Sequence, residues 1–341
     1  MSSLPTNPVA RNILFACCLL VSAGGYGAES GAAELRVTSL SFPESPWHDL
    51  WLRFGERLRE NDTGAFDLQM FIAGELGSEE TALSNIRRGR VQIGGFSLQG
   101  LATVVPELSL LLAPYLFETP AQVDFVIDNY VTEAYQALFR DKGLALLQWS
   151  EVGWLHVYAK KPLATPTQAR GLAMRASNAL GSRYFAEAIG ADLIPVTFSE
   201  IIPSLQTGLI ESGQGGVGLY ALAGIAKEAK YLNMTYHAFD TGLIVANLEW
   251  FEALDAAERA LIINSMDEVN AARVAIRASI QDIENRLPAQ GVTLNFISDD
   301  SRQLWREASV HTHQQMVQDI GGDAQRIYAL IQQGKAEFEG R

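Results

Sequence analysis

The chain has 341 residues, which is long enough for two lobes that each bury a core of their own. Hydrophobic residues make up 48% of it and charged residues 19%, as in ordinary globular proteins. The formal net charge of −13 argues against a nucleic-acid-binding protein, which needs a basic face, although one arginine can still dominate the potential inside a small cleft.

The amino terminus has the layout of a cleaved secretory signal peptide. Arg11 precedes an apolar run over residues 13–23, and small residues follow as far as Ala33. The run is shorter than the roughly 20 residues that span a bilayer. We therefore expect residues 1–33 to be removed on export, with a buried amino-terminal helix as the alternative.

Both cysteines, Cys17 and Cys18, lie inside this apolar run. A lipid-anchored cysteine is a further alternative, but it would cut the apolar run in half. Cleavage after the run would leave the mature chain without any disulfide or thiolate metal site, so its stability would come from its core.

The first third of the mature chain alternates between strand-like and helix-like segments. Residues 35–41, 66–72 and 91–96 have the pattern of strands. Residues 47–60 carry apolar side chains at helical spacing, and Ser78 is placed to cap a helix that runs to Arg88. This alternation predicts an α/β fold with a parallel sheet and crossover helices.

The rest of the chain predicts a second lobe and a return to the first. Residues 145–158 read as one long strand that crosses between lobes, and the loop at 160–166 begins the second lobe. Residues 238–247 would be a strand that returns to the first lobe. Residues 256–287 contain no internal glycine, keep the helical period, and predict one long helix, with further terminal helices after it.

Residues 213–218 fit the G-x-G-x-x-G pattern that is typical of a dinucleotide-binding turn. A secreted NAD-dependent oxidoreductase that uses the Gly213–Gly218 turn is therefore one interpretation. No acidic residue lies about 20 positions further on, where that fingerprint has one, and Asn233 is nearest to this spacing. We favour a flexible glycine turn that opens onto a cleft.

Two other patterns were weighed as chemical sites. Ser97 resembles a nucleophile elbow, but Gln99 stands where that motif needs glycine, so we read Ser97 as a hydroxyl facing a cleft at a strand end. His311 and His313 are two positions apart on a predicted helix and do not share a face, so they predict no metal site.

Arg175 is the most informative single residue, because it follows the short apolar segment 171–174 at a predicted strand end. A guanidinium in that place can bind a carboxylate through two parallel hydrogen bonds. A surface ion pair is the alternative, and spacing alone does not decide between them.

Several short sequence motifs follow one another along the chain: Gly74-Glu-Leu-Gly77, Pro106-Glu-Leu, Pro114-Tyr-Leu-Phe117, Trp149-Ser-Glu-Val-Gly153, Gly171-Leu-Ala-Met-Arg175, Ile189-Gly-Ala, Pro195, Phe198-Ser-Glu200 and Leu205-Gln-Thr-Gly208. In these pieces the chain resembles the solute-binding proteins of tripartite ATP-independent periplasmic (TRAP) transporters, of the C4-dicarboxylate-binding type. Any one piece is weak, but the ordered set is specific and covers the chain from about residue 35 to its end.

The resemblance implies a two-lobed periplasmic binding protein fold with a hinge cleft, and a long helix spanning the back, which would be 256–287. The first lobe would comprise 34–157 plus about 246–341, and the second lobe 158–245. It further implies a periplasmic receptor that delivers a small organic acid to TRAP membrane permease subunits, with no cofactor, no catalytic residue and no nucleic-acid partner. A sensor subunit with the same fold is an alternative.

The resemblance makes Arg175 the residue that pairs with the ligand carboxylate. Many members carry a second arginine where Trp154-Leu155 stands here, and Gln-Glu-Asn-Pro where Gly213–Gly216 stands here. The pocket would therefore be less polar and suit a monocarboxylate with an apolar or aromatic part. The candidate ligand contacts are Trp47, Glu75 and Ser97 from the first lobe, Arg175, Gln214 and Gly215 from the second, and Trp154, Tyr220 and Phe239 as walls.

Overall fold

Two β-sheets organise the part of the chain that the computed structural model describes, residues 32–177 and 179–341. The predicted signal peptide lies outside the described residues, apart from its last two positions. The strands are β1 (Ala33–Ser39), β2 (Phe66–Phe71), β3 (Ile93–Ser97), β4 (Leu144–Trp149), β5 (Gly153–Ala159), β6 (Ala173–Ala176), β7 (Asp192–Pro195), β8 (Ser212–Gly216), β9 (Tyr231–Asp240), β10 (Gly242–Asn247) and β11 (Thr293–Phe296). The first sheet has the strand order β2-β1-β3-β10-β4 and the second the order β11-β9-β5-β8-β6-β7.

The helices cover both sheets, as the predicted α/β alternation requires. Ser78 caps the helix Glu79–Arg87 by accepting from the backbone N–H of Thr81, as its position in the sequence predicted. Over the described residues, no helix combines the length and the apolar character needed to cross a bilayer. The helices are α1 (Pro46–Asn61), α2 (Glu79–Arg87), α3 (Leu98–Leu101), α4 (Pro120–Val126), α5 (Thr132–Asp141), α6 (Leu180–Ala188), α7 (Ile201–Thr207), α8 (Val217–Leu222), α9 (Ile225–Glu228), α10 (Leu248–Ala253), α11 (Ala256–Ser265), α12 (Val269–Arg286), α13 (Asp299–Ser309), α14 (Thr312–Ile320) and α15 (Ala324–Glu339).

Two of the places where the chain crosses between the sheets are short segments, each of which the sequence pattern predicted as the middle of one strand. Residues 145–158 are in fact β4 and β5, and 238–247 are the end of β9 and β10, in different sheets. The crossing segments pair with each other, because the N–H of Ser150 donates to Gly242 O at 2.7 Å and that of Val152 to Asp240 O at 3.2 Å. Gly153, with φ +98°, then turns the chain into β5.

Sheet membership differs from the expected lobe boundaries at two places. Residues 153–157 lie in β5 of the second sheet, and β11 also joins that sheet, although both were expected in the first lobe. The chain therefore changes sheets at residues 150–152, again next to Thr241, and a third time between β10 and β11, over the stretch that contains α12.

The single helix predicted over residues 256–287 is wrong, because the structure has α11 and α12 with an extended break between them. Met266 has ψ 157°, and Asp267 forms ion pairs with Arg53 at 2.7 Å and with Arg57 at 2.6 Å, both on α1. The Glu268 side chain then accepts from the first backbone N–H groups of α12. Two ion pairs and a cap, none of which changes the apolar period, thus divide the predicted helix.

Helix α12 contacts α1, which packs against the first sheet, and α8, which packs against the second. At its middle, Arg277 forms two hydrogen bonds with Asp124 of α4 at 2.8 Å each, and two with Glu151 on a crossing segment at 2.8 and 2.5 Å. Further on, Ile283 is buried in the core of the second sheet. Of the two halves of the predicted helix, α12 is therefore the one that bridges the lobes.

Removing the arginine of this network should destabilise the protein. Glu151 is 2% exposed, and burial raises the pKa of its carboxyl while Arg277 acts against that rise. Arg277→Met would leave the carboxylate buried without its partner, so we expect a loss of about 3 kcal/mol in the free energy of unfolding, measured by urea denaturation. Arg326→Met, which breaks an exposed pair with Asp323, should cost less than about 1 kcal/mol. Equal small losses in both variants would contradict this role.

Candidate functional site

The candidate site lies where the carboxyl ends of parallel strands from the two sheets face each other, which is the usual ligand position in α/β proteins. The strands that end there in the first sheet are β1, β2 and β3, and in the second sheet β6 and β7. The loops that follow these strands supply the residues that meet across the cleft.

Aromatic contacts show that the two edges are close. Phe42, which follows β1, packs against Phe198, which follows β7, with ring centroids 6.2 Å apart. The ring of Trp47 lies over Gly218, where an added Cβ would be only 2.5 Å from the ring. Trp47 Nε1 also donates to the carbonyl of Glu151 at 2.6 Å, which joins the cleft to the crossing segment.

Arg175 is the next-to-last residue of β6 and pairs with Gly213 of β8 and Ile194 of β7. It is 8% exposed, and its Nε donates to the carbonyl of Val196 at 3.2 Å. Burial lowers the pKa of Arg175, and only Tyr158, in the described part of the chain, acts in the opposite direction. The guanidinium is thus a buried cation that forms no ion pair with a carboxylate of residues 32–177 and 179–341.

Tyr158 on β5, which the sequence reasoning missed, lies beside Arg175. It pairs with Gly213 across the ladder, and its hydroxyl has no hydrogen-bond partner among the described residues. Burial raises the pKa of Tyr158 to about 12, and the charge of Arg175 acts to lower it. Tyr158 and Gly213 become neighbours only when β5 pairs with β8. No local sequence pattern reveals that pairing.

The Gly213–Gly218 cluster is not a turn, so both turn interpretations of it are wrong. Residues 212–216 form β8, which pairs with β5 on one side and β6 on the other. The backbone groups of a paired central strand are used by its neighbours and are not free to bind a pyrophosphate. The glycines instead make room for rings, since a Cβ at Gly213 would lie 2.2 Å from Tyr158 Oη.

Ser97 ends β3 on the first-lobe side and is engaged within the protein. Its hydroxyl accepts from the N–H of Gly100 at 3.0 Å and donates to Glu79 Oε2 at 2.7 Å. Glu79 is a second residue that the sequence pattern does not mark, and burial raises the pKa of its carboxyl. Nearby, Asp240 accepts from Gln99 Nε2 at 3.0 Å, and burial raises the pKa of its carboxyl to about 7.

Two of the predicted contacts lie next to each other on β8 but have different surroundings. Gln214 is buried, its Nε2 donates to Ser182 O at 2.9 Å, and its Oε1 is 3.1 Å from His237 Nε2. Both ends of the Gln214 amide therefore have internal partners. Gly215 lies on the face of the sheet opposite to the Gln214 side chain, which is the face that carries the Tyr158 ring.

Tyr220 and Glu75 are placed differently from what the sequence suggested. The Tyr220 hydroxyl donates to Ala229 O at 2.7 Å, and its ring is fully buried in the core of the second lobe. Glu75 is exposed on the turn after β2. In residues 32–177 and 179–341, no group of three or more His, Cys, Asp or Glu side chains is arranged to hold a metal ion.

Two of the three predicted aromatic walls, Trp154 and Phe239, contact each other. Trp154 on β5 meets Phe239 on β9 edge-on, with centroids 5.1 Å apart, and also meets Tyr236 at 6.0 Å. Phe239 is buried within the core of the first lobe, whereas Trp154 is only half-buried. Trp154 is therefore the one of the pair with surface left to contact a ligand.

Comparisons with known proteins agree with this architecture. The model of the family described as "bacterial extracellular solute-binding protein, family 7" matches residues 39–319. Among curated proteins, the chain is similar to the 2,3-diketo-L-gulonate-binding periplasmic protein YiaO of Escherichia coli, with 25% identity over 94% of this chain and 98% of that one. It is also similar to the C4-dicarboxylate-binding periplasmic protein DctP of Vibrio cholerae, with 26% identity over 79% and 81% of the two chains.

Solved structures show the same fold. One is a TRAP periplasmic solute binding protein from Roseobacter denitrificans with bound β-D-glucuronate, at 23% identity, a TM-score of 0.82, and coverage of 88% of this chain and 99% of that one. Another is the periplasmic ectoine-binding protein of Halomonas elongata, at 20% identity, a TM-score of 0.82, and coverage of 89% and 99%. The predicted two-lobed α/β fold is thereby confirmed.

The raised pKa of Asp240 predicts that this residue destabilises the protein at high pH. The carboxyl keeps its proton up to about pH 7 in the folded protein, but only to about pH 4 in the unfolded chain. Between these values, rising pH therefore favours the unfolded state. Asp240→Asn cannot ionise, so its gain in Tm over the parent should be large at pH 8 and should shrink as the pH is lowered to 4.

Asp192→Asn, at an exposed position on β7, is the matched control for this titration. Its difference in Tm from the parent should change little between pH 4 and pH 8. A difference for Asp240→Asn that stays constant over the same range would contradict the buried titration.

Proposed function

We propose, since the chain belongs to the bacterial extracellular solute-binding protein family 7, that it is a periplasmic receptor of a TRAP transporter. It captures a small organic acid and delivers it to the membrane permease subunits of that system. It performs no covalent chemistry, and its activity consists of binding and closure. The β-D-glucuronate named for one structural relative supports a small carboxylate as the solute of this chain as well.

The observation that carries this proposal is the buried guanidinium of Arg175. A buried arginine without an anionic partner is unfavourable, because desolvation costs several kcal/mol per ion. Its Nε is held by Val196 O, which leaves the two terminal nitrogens to form a bidentate pair with a carboxylate. An acid that enters the cleft supplies the missing charge.

The surroundings of Arg175 favour a monocarboxylate with an apolar or aromatic part. Position 155, next to the cleft residue Trp154, is a buried leucine rather than a second arginine. Phe42, Phe198 and Trp47 contribute aromatic rings where the two lobes meet. One cation and several rings match one carboxylate joined to an apolar group.

Closure follows from contacts with both lobes. Arg175 belongs to the second sheet, while Trp47 belongs to the first lobe and is tied to the crossing segment through Glu151 O. A ligand that contacts both sides stabilises the closed arrangement, so binding shifts the equilibrium between open and closed forms. The crossing segments at 150–152 and 240–241 are short enough to act as the hinge.

Loss of the guanidinium should abolish binding. Binding is measured by titration calorimetry with the sodium salts of succinate, D-glucuronate, 4-methylpentanoate and 3-phenylpropanoate. For the acid that the parent binds most tightly, Arg175→Ala should make the free energy of binding less favourable by about 2–5 kcal/mol. Arg175→Lys should recover little, because an ammonium cannot form the bidentate pair. The fold should be retained, since the variant removes a buried charge that has no counter-ion.

Arg170→Ala, at an exposed position just before β6, is the control and should bind as the parent does. Unchanged affinity in a folded Arg175→Ala protein would remove Arg175 from the site. If the parent bound none of the four acids, the proposed function would be wrong.

The same panel tests the type of acid. The aromatic and branched monocarboxylates should bind more tightly than succinate, because a second carboxylate would be buried without a second arginine. Tight binding of succinate together with no binding of the two monocarboxylates would overturn the monocarboxylate preference, while leaving the receptor function in place.

A further inference from the structure

Three neighbouring strands of the second sheet place Tyr158, Gly213 and Arg175 in one row. Tyr158 of β5 pairs with Gly213 of β8, and Gly213 pairs in turn with Arg175 of β6. Residues that are paired across strands project on the same face of a sheet. The phenol and the guanidinium therefore lie on one face, with only a glycine between them.

The hydroxyl of Tyr158 differs from those of the other deeply buried tyrosines. Tyr115, Tyr135 and Tyr220 each donate to a backbone carbonyl, at 3.1, 2.9 and 2.7 Å. The Tyr158 hydroxyl is equally buried, but no atom of the described residues accepts its hydrogen. A buried hydroxyl without a hydrogen-bond partner is unfavourable, so its presence calls for an explanation.

Gly213 is what permits this hydroxyl to stand where it does. A Cβ on that residue would lie 2.2 Å from Tyr158 Oη and 2.4 Å from Cζ, which no side chain could tolerate. Gly213 has no positive φ that would require glycine for the backbone. The absence of a side chain on β8 therefore serves the tyrosine next to it, and brings its donor to the arginine.

We propose that the Tyr158 hydroxyl is a second donor of the ligand site, which donates to the same carboxylate that Arg175 binds. This inference rests on the proposed function and assigns a specificity role to a residue on the adjacent strand. The guanidinium offers two terminal nitrogens, and a carboxylate retains further acceptor positions after accepting from both. A phenol O–H next to an arginine also selects an ionised acid over its amide, whose N–H₂ would face two donors.

Tyr158→Phe removes this donor and keeps the ring, so it separates binding from packing. We expect the affinity for the acid that the parent binds most tightly in the four-acid panel to fall about tenfold to a hundredfold. The Tm without added acid should stay the same or rise, since the lost hydroxyl has no partner in the protein. Discrimination between that acid and its primary amide should shrink in the same variant.

Tyr135→Phe is the matched control, because it removes a buried hydroxyl that donates to Glu107 O in the first lobe. It should lower the Tm and leave the affinity unchanged, which is the reverse of the pattern for Tyr158→Phe. Gly213→Ala should reduce the affinity at least as strongly as Tyr158→Phe, because the added methyl displaces the tyrosine.

The inference is overturned if Tyr158→Phe binds the acid as tightly as the parent, or if it lowers the Tm as Tyr135→Phe does without a loss of affinity. In either case a loss of binding in Arg175→Ala would leave the proposed function standing. If the parent binds no acid of the panel, both the proposed function and the role of Tyr158 are wrong.

Discussion

The guanidinium of Arg175 is buried with a single carbonyl as its partner, and the ligand site is built around it. Charged groups in protein interiors are usually paired, because the cost of desolvation is otherwise several kcal/mol. Arg175 meets that cost without a carboxylate of the described residues. Its strand, its glycine neighbour and the turn that supplies Val196 O together hold the guanidinium at the edge that faces the first lobe.

The crossing segments and α12 connect this site to the rest of the molecule. The segments pair with each other by backbone hydrogen bonds, so a rotation of one lobe moves both together. Glu151 lies on one of them, with its carbonyl bound to Trp47 in the cleft and its carboxylate to Arg277 of α12. Glu151 therefore links the cleft directly to the ion pairs that hold α12. This arrangement suits a two-state hinge.

Much of this arrangement can be predicted from the sequence where the signal is local. The alternation of strands and helices, the Ser78 cap and the strand-end position of Arg175 depend on neighbouring residues and are found in the structure. The glycine cluster was misread because the same residues fit a turn and a strand that must admit bulky rings. The choice between them depends on Tyr158 and Trp47, which lie far away in the chain.

The other failures have the same origin in long-range contacts. Apolar periodicity continues through residues 266–268, and only the ion pairs of Asp267 with α1 show why the helix stops there. Residues 145–158 and 238–247 pass between the sheets as predicted, but each stretch is divided into two strands by pairing with distant segments. Glu79 and Asp240 gain their raised pKa values from burial against elements that are distant in sequence, so no motif marks them.

A crystal structure of the protein with the acid of the panel that it binds most tightly tests the role of Arg175 directly. We predict that both terminal nitrogens of Arg175 lie within about 3.2 Å of the two carboxylate oxygens of the acid, in a closed cleft. An acid bound elsewhere, or bound in the cleft with its carboxylate turned away from Arg175, would contradict the account.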